Sequence, residues 1–127
     1  MTGSCARGYP LRLEWTSGIA MGVDHLLVLC SCPHAASAQM LSTAILDQRL
    51  AACVNQLSGV KSLYRWHDKL EEDDEVLLLI KTRASLYEQL EGLIQSLHPY
   101  ELPEIIGVPL SVGSRDYLQW IDAATKP

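Results

Sequence analysis

Residues 51–82, AACVNQLSGVKSLYRWHDKLEEDDEVLLLIKT, hold two extended arms around a short polar tip, and they constrain the fold more than any other stretch. In the first arm, residues 53–66, Val60, Ser62, Tyr64 and Trp66 alternate with Lys61, Leu63 and Arg65. One face is largely apolar and the other charged, the period-two signature of a strand. Gly59 interrupts the pattern where a bulge or bend is expected. After the tip at His67, Asp68 and Lys69 the chain returns, and residues 76–80 are apolar at every position, as in a strand covered on both faces. Arms of about fourteen residues at roughly 3.3 Å per residue make a hairpin about 45 Å long. A compact chain of this length is only about 35 Å across. The hairpin therefore overhangs its own domain, and Tyr64 and Trp66 near its tip are expected to be covered by another copy of the chain.

The flanking segments supply the partners of this hairpin. Residues 26–32, LLVLCSC, form a short apolar run closed by Pro33, which reads as a buried first strand. Residues 35–50 place Met40, Leu41, Ala44, Ile45 and Leu50 at helical spacing. Ser85 and Glu88 have the spacing of a capping box ahead of the stripe Leu86, Leu90, Leu93, Ile94 and Leu97. Pro99 stops that helix at His98, because proline lacks an amide hydrogen and disfavours helix in the residue before it. Residues 104–110, interrupted by Pro109, read as a fourth strand ending near an edge or bend, and residues 114–123 as a short C-terminal helix. The order strand, helix, strand, strand, helix, strand, plus a helix, is the ferredoxin-like split βαβ arrangement of an α+β domain. Residues 1–24 sustain neither period and are expected to be a poorly ordered arm, leaving residues 25–127 as the domain.

At 127 residues and 48% apolar composition the chain is long enough to bury one ordinary core. A net charge of −5 and the lack of any basic stripe argue against nucleic acid as a partner. The acidic run at 71–75 reads as a solvated strand edge. No apolar stretch is long enough to span a membrane, and no apolar core of a secretory signal follows Arg7 or Arg12. The expected location is cytoplasmic; a mitochondrial transit peptide is the weaker alternative, since Glu14 breaks its acid-poor pattern. Cys30 and Cys32 lie side by side on one strand face, poorly placed to bridge to one another, which points to free thiols in a reducing compartment. Neither a CxxC pair nor a spaced His pair marks a zinc site. Nothing in the chain carries a nucleophile elbow, a phosphate-cradling loop or an isolated pair of acids, so no enzyme is expected.

Taken together, ACVNQLSGVKSLYRW, EVLLLIKT, HPYELPEII and DYLQWI, in this order and spacing, resemble the CutA family of divalent-cation-tolerance proteins from about residue 26 to residue 121. The resemblance implies a ferredoxin-like protomer, a homotrimer built by long β-ribbons, a link to copper and other divalent ions and, for animal members, an association with the membrane anchoring of acetylcholinesterase. It also implies a copper ligand set: a Cys on the first strand, a His before the Pro-Tyr pair and a Glu after the second proline. Carried over, these positions hold Cys30, Leu97 and Glu104. Leu97 departs from the pattern, which leaves Cys32, on the same face as Cys30, and the neighbouring His98 as candidate further ligands. Thiolate and imidazole donors together suit copper(I). The same residues have plain structural readings: Cys30, Cys32 and Cys53 as small buried hydrophobes, and His98 as a helix cap. The leading expectation is a non-catalytic homotrimer that binds or responds to copper-class cations. Two others stand beside it. One is a trimeric interaction protein that assists assembly or trafficking of a membrane-associated partner without inserting into the membrane itself. The other is a small-molecule sensor in which Lys81 and Arg83 meet an anionic ligand in clefts between subunits.

Overall fold

The structure, a computed structural model, describes residues 23–127 and the backbone of one short antiparallel pair, β1 (Trp15–Thr16) with β2 (Ile19–Ala20). The rest of the expected arm at residues 1–24 lies outside the described residues. Val23 and Asp24, assigned to that arm from the sequence, are joined to the domain. Val23 packs against the core, and the Asp24 carbonyl accepts the Ala84 N–H at 2.8 Å.

Four strands, β3 (His25–Cys32), β4 (Cys53–Trp66), β5 (Lys69–Arg83) and β6 (Ile106–Pro109), form an antiparallel sheet in the order β4-β5-β3-β6. Helices α1 (Ala35–Asp47) and α2 (Tyr87–Leu97) make the two crossovers, which is the expected ferredoxin-like arrangement, and α3 (Arg115–Ala124) follows. Alternation along β3 sets the two faces of the sheet. Leu26, Val28, Cys30 and Cys32 are buried with Leu78 and Ile80 of β5, Leu41 and Ile45 of α1, and Leu90 and Ile94 of α2. His25, Leu27, Leu29 and Ser31 take the opposite face. There α3 covers one end, with His25 Nε2 2.8 Å from Asp122 Oδ1 and Arg83 Nε donating to Thr125 Oγ1 at 2.7 Å.

Beyond α3 this second face is apolar and open. Leu57, Ile106 and Val108 are 52, 51 and 44% exposed beside half-buried Leu27, Leu29, Leu77 and Leu79. The run at 76–80 is therefore covered on one face only within a single chain: Val76, Leu78 and Ile80 are buried, and Leu77 and Leu79 are half-buried. The hairpin pairs from Cys53↔Lys81 to Trp66↔Lys69, and its register slips between Leu57↔Leu77 and Val60↔Glu75. Gly59, in that gap, has a φ of 79°, a left-handed value that suits glycine. The slip changes which residues face the open side: Asn55 and Leu57 before it, Val60, Ser62, Tyr64 and Trp66 after it. All residues from 63 to 70 are exposed, so the ribbon does overhang the domain. His67 and Asp68 turn it with φ of 50° and 64°, the left-handed pair of a two-residue hairpin turn.

Several element boundaries differ from the sequence expectation for local reasons. No capping box forms at Ser85, because a 3₁₀ turn (Ala84–Leu86) takes up that segment and α2 begins at Tyr87 without a side-chain cap. α1 stops at Asp47 rather than at residue 50. Arg49 adopts φ 57°, and the Arg49 and Leu50 amides bond back to the Leu46 and Ile45 carbonyls, both at 3.0 Å, closing a Schellman turn. The fourth strand is Ile106–Pro109, because pairing with β3 ends at Leu29↔Ile106 and Glu104 leaves the ladder. Pro109 is its last residue, on the sheet edge where proline is tolerated. Ser114 caps α3, accepting the Tyr117 N–H at 3.4 Å.

Candidate functional site

Two features meet across the end of β3, one on each face of the sheet. The first lies on the helix face. Pro99 ends α2 at Leu97 and leaves His98 extended, with φ −70° and ψ 137°. That backbone carries the imidazole inward: His98 is 8% exposed, whereas Leu97 is 37% exposed. The donor atoms of Cys30, Cys32 and His98, all buried, come within 4.8 Å of one another. Cys30, Cys32 and Cys53 are free thiols. The Cys30 thiol is pushed far above its ordinary range, first by the hydrogen bond it shares with Cys32, then by burial, then by the negative charge of Cys32. The same bond lowers Cys32 against the opposing effect of burial.

His98 is already engaged. Its Nε2–H donates to the Ser31 carbonyl at 2.7 Å, and Nδ1 accepts the Tyr100 N–H at 3.0 Å. A carbonyl needs a donor and an amide needs an acceptor, so these two bonds assign the neutral tautomer. The donor set thus suits a soft ion through its two sulfurs, with the imidazole fixing the adjoining backbone. Glu104 does not join the cluster: it is exposed and stands across the sheet with Oε1 3.5 Å from Ser31 Oγ. Lys81 and Arg83 lie toward the other end of β5, each with a hydrogen-bond partner within the chain. Lys81 donates to Asn55 Oδ1, and Arg83 holds Thr125 through its hydroxyl at 2.7 Å and its carbonyl at 3.0 Å.

The second feature is a cleft of about 380 Å³ on the open face, where the ribbon leaves the sheet, walled by Tyr64, Trp66 and Tyr100 with Glu75, Glu101 and Glu104. The Tyr100 O–H donates to Glu75 Oε2 at 2.6 Å, and the Tyr64 O–H donates to Asp73. Burial, then the bond and charge of Glu75, push the Tyr100 hydroxyl well above its usual range. The Tyr64 hydroxyl is pushed up to about 12 by its bond to Asp73, then by desolvation and the surrounding carboxylates. Glu75 corrects the expectation of a solvated acidic run at 71–75, since it is only 7% exposed. The signal was present: it shares the period-two face of Leu77 and Leu79, and its charge masked that pattern.

A ferredoxin-like α+β domain with an open apolar sheet face, an overhanging ribbon and a buried thiol cluster under its first strand is the class that fold and site define. The family description "CutA1 divalent ion tolerance protein" matches residues 26–124, and the chain belongs to that family. The divalent-cation tolerance protein CutA of Pectobacterium atrosepticum is 43% identical over 103 residues, covering 81% of this chain and 94% of that protein. Protein CutA of Homo sapiens is 43% identical over 96 residues, 76% of this chain and 54% of its own length. The chain thus spans about half the length of the human and mouse relatives it matches. The crystal structure of CutA from Xylella fastidiosa superposes with a TM-score of 0.79 at 44% identity, covering 81% of this chain and 99% of that one. CutA1 from Oryza sativa gives 0.79 at 36% identity, covering 82% and 95%.

Proposed function

We propose that the chain works as a non-catalytic homotrimer that binds a copper-class cation at Cys30 and Cys32 and takes part in tolerance of divalent ions. The observation that carries the metal half is the buried convergence of Cys30, Cys32 and His98, in a chain whose relatives are named for divalent-cation tolerance. Soft thiolates favour copper(I), whereas magnesium and calcium take oxygen ligands. Bound there, the ion would supply positive charge in place of the two thiol protons. His98 holds the Ser31 carbonyl and the Tyr100 amide, and so keeps the end of β3 in register with the turn after α2. The assembly half is supported by the open face of Leu27, Leu29, Leu57, Leu77, Leu79, Ile106 and Val108, a contiguous apolar surface of the kind that marks subunit contacts. The number three comes from the family resemblance. Free thiols fit a cytoplasmic setting.

Anaerobic titration of the reduced protein with copper(I) against a competing chelator tests the metal half. Uptake should scale with subunits and weaken as pH falls, because protons compete for the thiolates. Cys30→Ser or Cys32→Ser should abolish it, and Cys53→Ser should leave it intact. A wild-type protein that takes up no copper(I) defeats the metal half and leaves the assembly.

A further inference from the structure

On the helix face of β3 a metal ion meets two sulfurs and little else that can bind it. Cys30 and Cys32 are both 0% exposed, and their partners across the strand pair are Leu78 and Val76, whose side chains hold no donor atom. The buried hydroxyls of α1 are turned to their own helix end: Ser37 Oγ donates to the His34 carbonyl at 2.9 Å and Ser42 Oγ to the Ala38 carbonyl at 2.7 Å. His98 completes the cluster in space but not in bonding. Its one imidazole lone pair, on Nδ1, accepts the Tyr100 N–H at 3.0 Å, while Nε2–H donates to the Ser31 carbonyl at 2.7 Å. Binding a metal through either nitrogen would strand one of those two backbone groups, and an unmade hydrogen bond in a buried turn is costly. Among the described residues no other Cys, His, Asp or Glu converges with these three.

Ions differ in how many donors they require. Zinc(II) is four-coordinate in nearly all structural sites, so two sulfurs leave it two ligands short. Water would have to make up the difference inside a close-packed core where both thiols are fully buried. Copper(II) favours tetragonal sets of nitrogen and oxygen, which are absent from this cluster apart from the engaged imidazole. Copper(I) and silver(I), soft ions with filled d shells, are content between two sulfurs in line. The donor atoms lie within 4.8 Å of one another, near enough for one ion to bridge the sulfurs. Two positions apart on one strand face, the thiols are held at that separation by the strand itself. We infer that Cys30 and Cys32 form a two-coordinate site for copper(I) and silver(I) that excludes zinc(II), which rests on the copper reading of the same residues and adds the coordination number. The site lies inside one chain, on the face of the sheet covered by α1 and α2, away from the surface given to a neighbouring copy.

The test uses reduced, anaerobic protein carrying Cys5→Ser and Cys53→Ser, so that Cys30 and Cys32 are its only thiols. Loaded with copper(I), it should give an X-ray absorption spectrum of a metal with sulfur neighbours at a coordination number of two and no imidazole. Silver(I) should displace the copper ion for ion, whereas zinc(II) at about a hundredfold excess should displace less than about a tenth of it. Cys32→Ser removes a ligand and should weaken silver(I) by at least about a hundredfold, the upper end of what losing a ligand's hydrogen-bond partner costs a metal site. Unchanged silver(I) affinity there overturns the inference, and if that variant does not fold, the absorption spectrum of the intact thiol pair carries the test. A third or fourth ligand in the spectrum, an imidazole signature, or zinc(II) competing on equal terms overturns the two-coordinate assignment and leaves copper binding standing. No uptake of either copper(I) or silver(I) defeats the copper reading itself, and the coordination number with it.

Discussion

At the scale of single residues, the backbone positions that look least comfortable set the geometry around the cleft. Gly59 sits at φ 79°, and a methyl group added there would meet nothing within 4 Å. The cost of Gly59→Ala is therefore backbone strain alone, about 1–2 kcal/mol for forcing an L-residue into a left-handed conformation. A urea melt should show that loss; an unchanged midpoint would mean the bulge moves without cost. Tyr87 gives a pH test. Burial, then the charge and hydrogen bond of Glu91, raise its hydroxyl to about 12, and its O–H donates to Glu91 Oε2 at 3.1 Å. The fold favours the protonated phenol, whereas the unfolded phenol ionises near its ordinary value of about 10. The stabilisation is thus fully present below pH of about 10 and is lost as pH rises toward about 12. Tyr87→Phe should flatten the fall in stability across that window, and an identical slope in both proteins would refute the assignment.

At the scale of elements, the ribbon and the helix end are each set by one local device. The ribbon owes its facing to the bulge: the extra residue rotates Tyr64 and Trp66 to the side of Leu77 and Glu75. They are 39 and 37% exposed, and in the proposed assembly a neighbouring copy covers them. Trp66→Ala should weaken self-association by about 2 kcal/mol, the size often seen for aromatic anchors, while leaving the protomer folded because residues 63–70 add nothing to its core. Concentration-dependent sedimentation would read this, and an unaltered association constant would make the ribbon tip merely solvent-exposed. The end of α2 owes its geometry to Pro99. Had the helix run one residue further, His98 would lie about 100° around from Leu97 instead of being drawn in beneath Cys32.

At the scale of the whole molecule, the sheet has helices on one face and, apart from α3, an open face of leucine, isoleucine and valine on the other. A single chain leaves that face in water, and association removes it. The protein should sediment as a trimer at micromolar concentration. Ile106→Asp, which places a charge on the edge strand of the open face where Ile106 is 51% exposed, should yield a monomer with its secondary structure intact. A monomeric wild type would remove both the argument from ribbon length and the assembly half of the proposed function.

The chain alone was enough for whatever depends on near neighbours. Alternation from Val60 to Trp66 placed the first arm of the hairpin at 53–66, where β4 lies, Gly59 marked the bulge, and Pro99 stopped α2 before His98. These signals are local because strand period, a left-handed φ and a missing amide hydrogen act within a few residues. Cys30 and Cys32 were legible together for the same reason, being two positions apart on one strand. What joins distant segments came from the tertiary structure. His98 reaches the two thiols only because the turn after α2 packs under the end of β3. Glu104 is parted from them because Ser31, whose hydroxyl it approaches, points through the opposite face of the sheet. Glu75 becomes a buried acid rather than part of a solvated run because cross-strand register sets it opposite Val60, and Tyr100 arrives from 25 residues away to bond it. Register and packing decide which residues share a face, and no window of sequence contains both sides of such a pair.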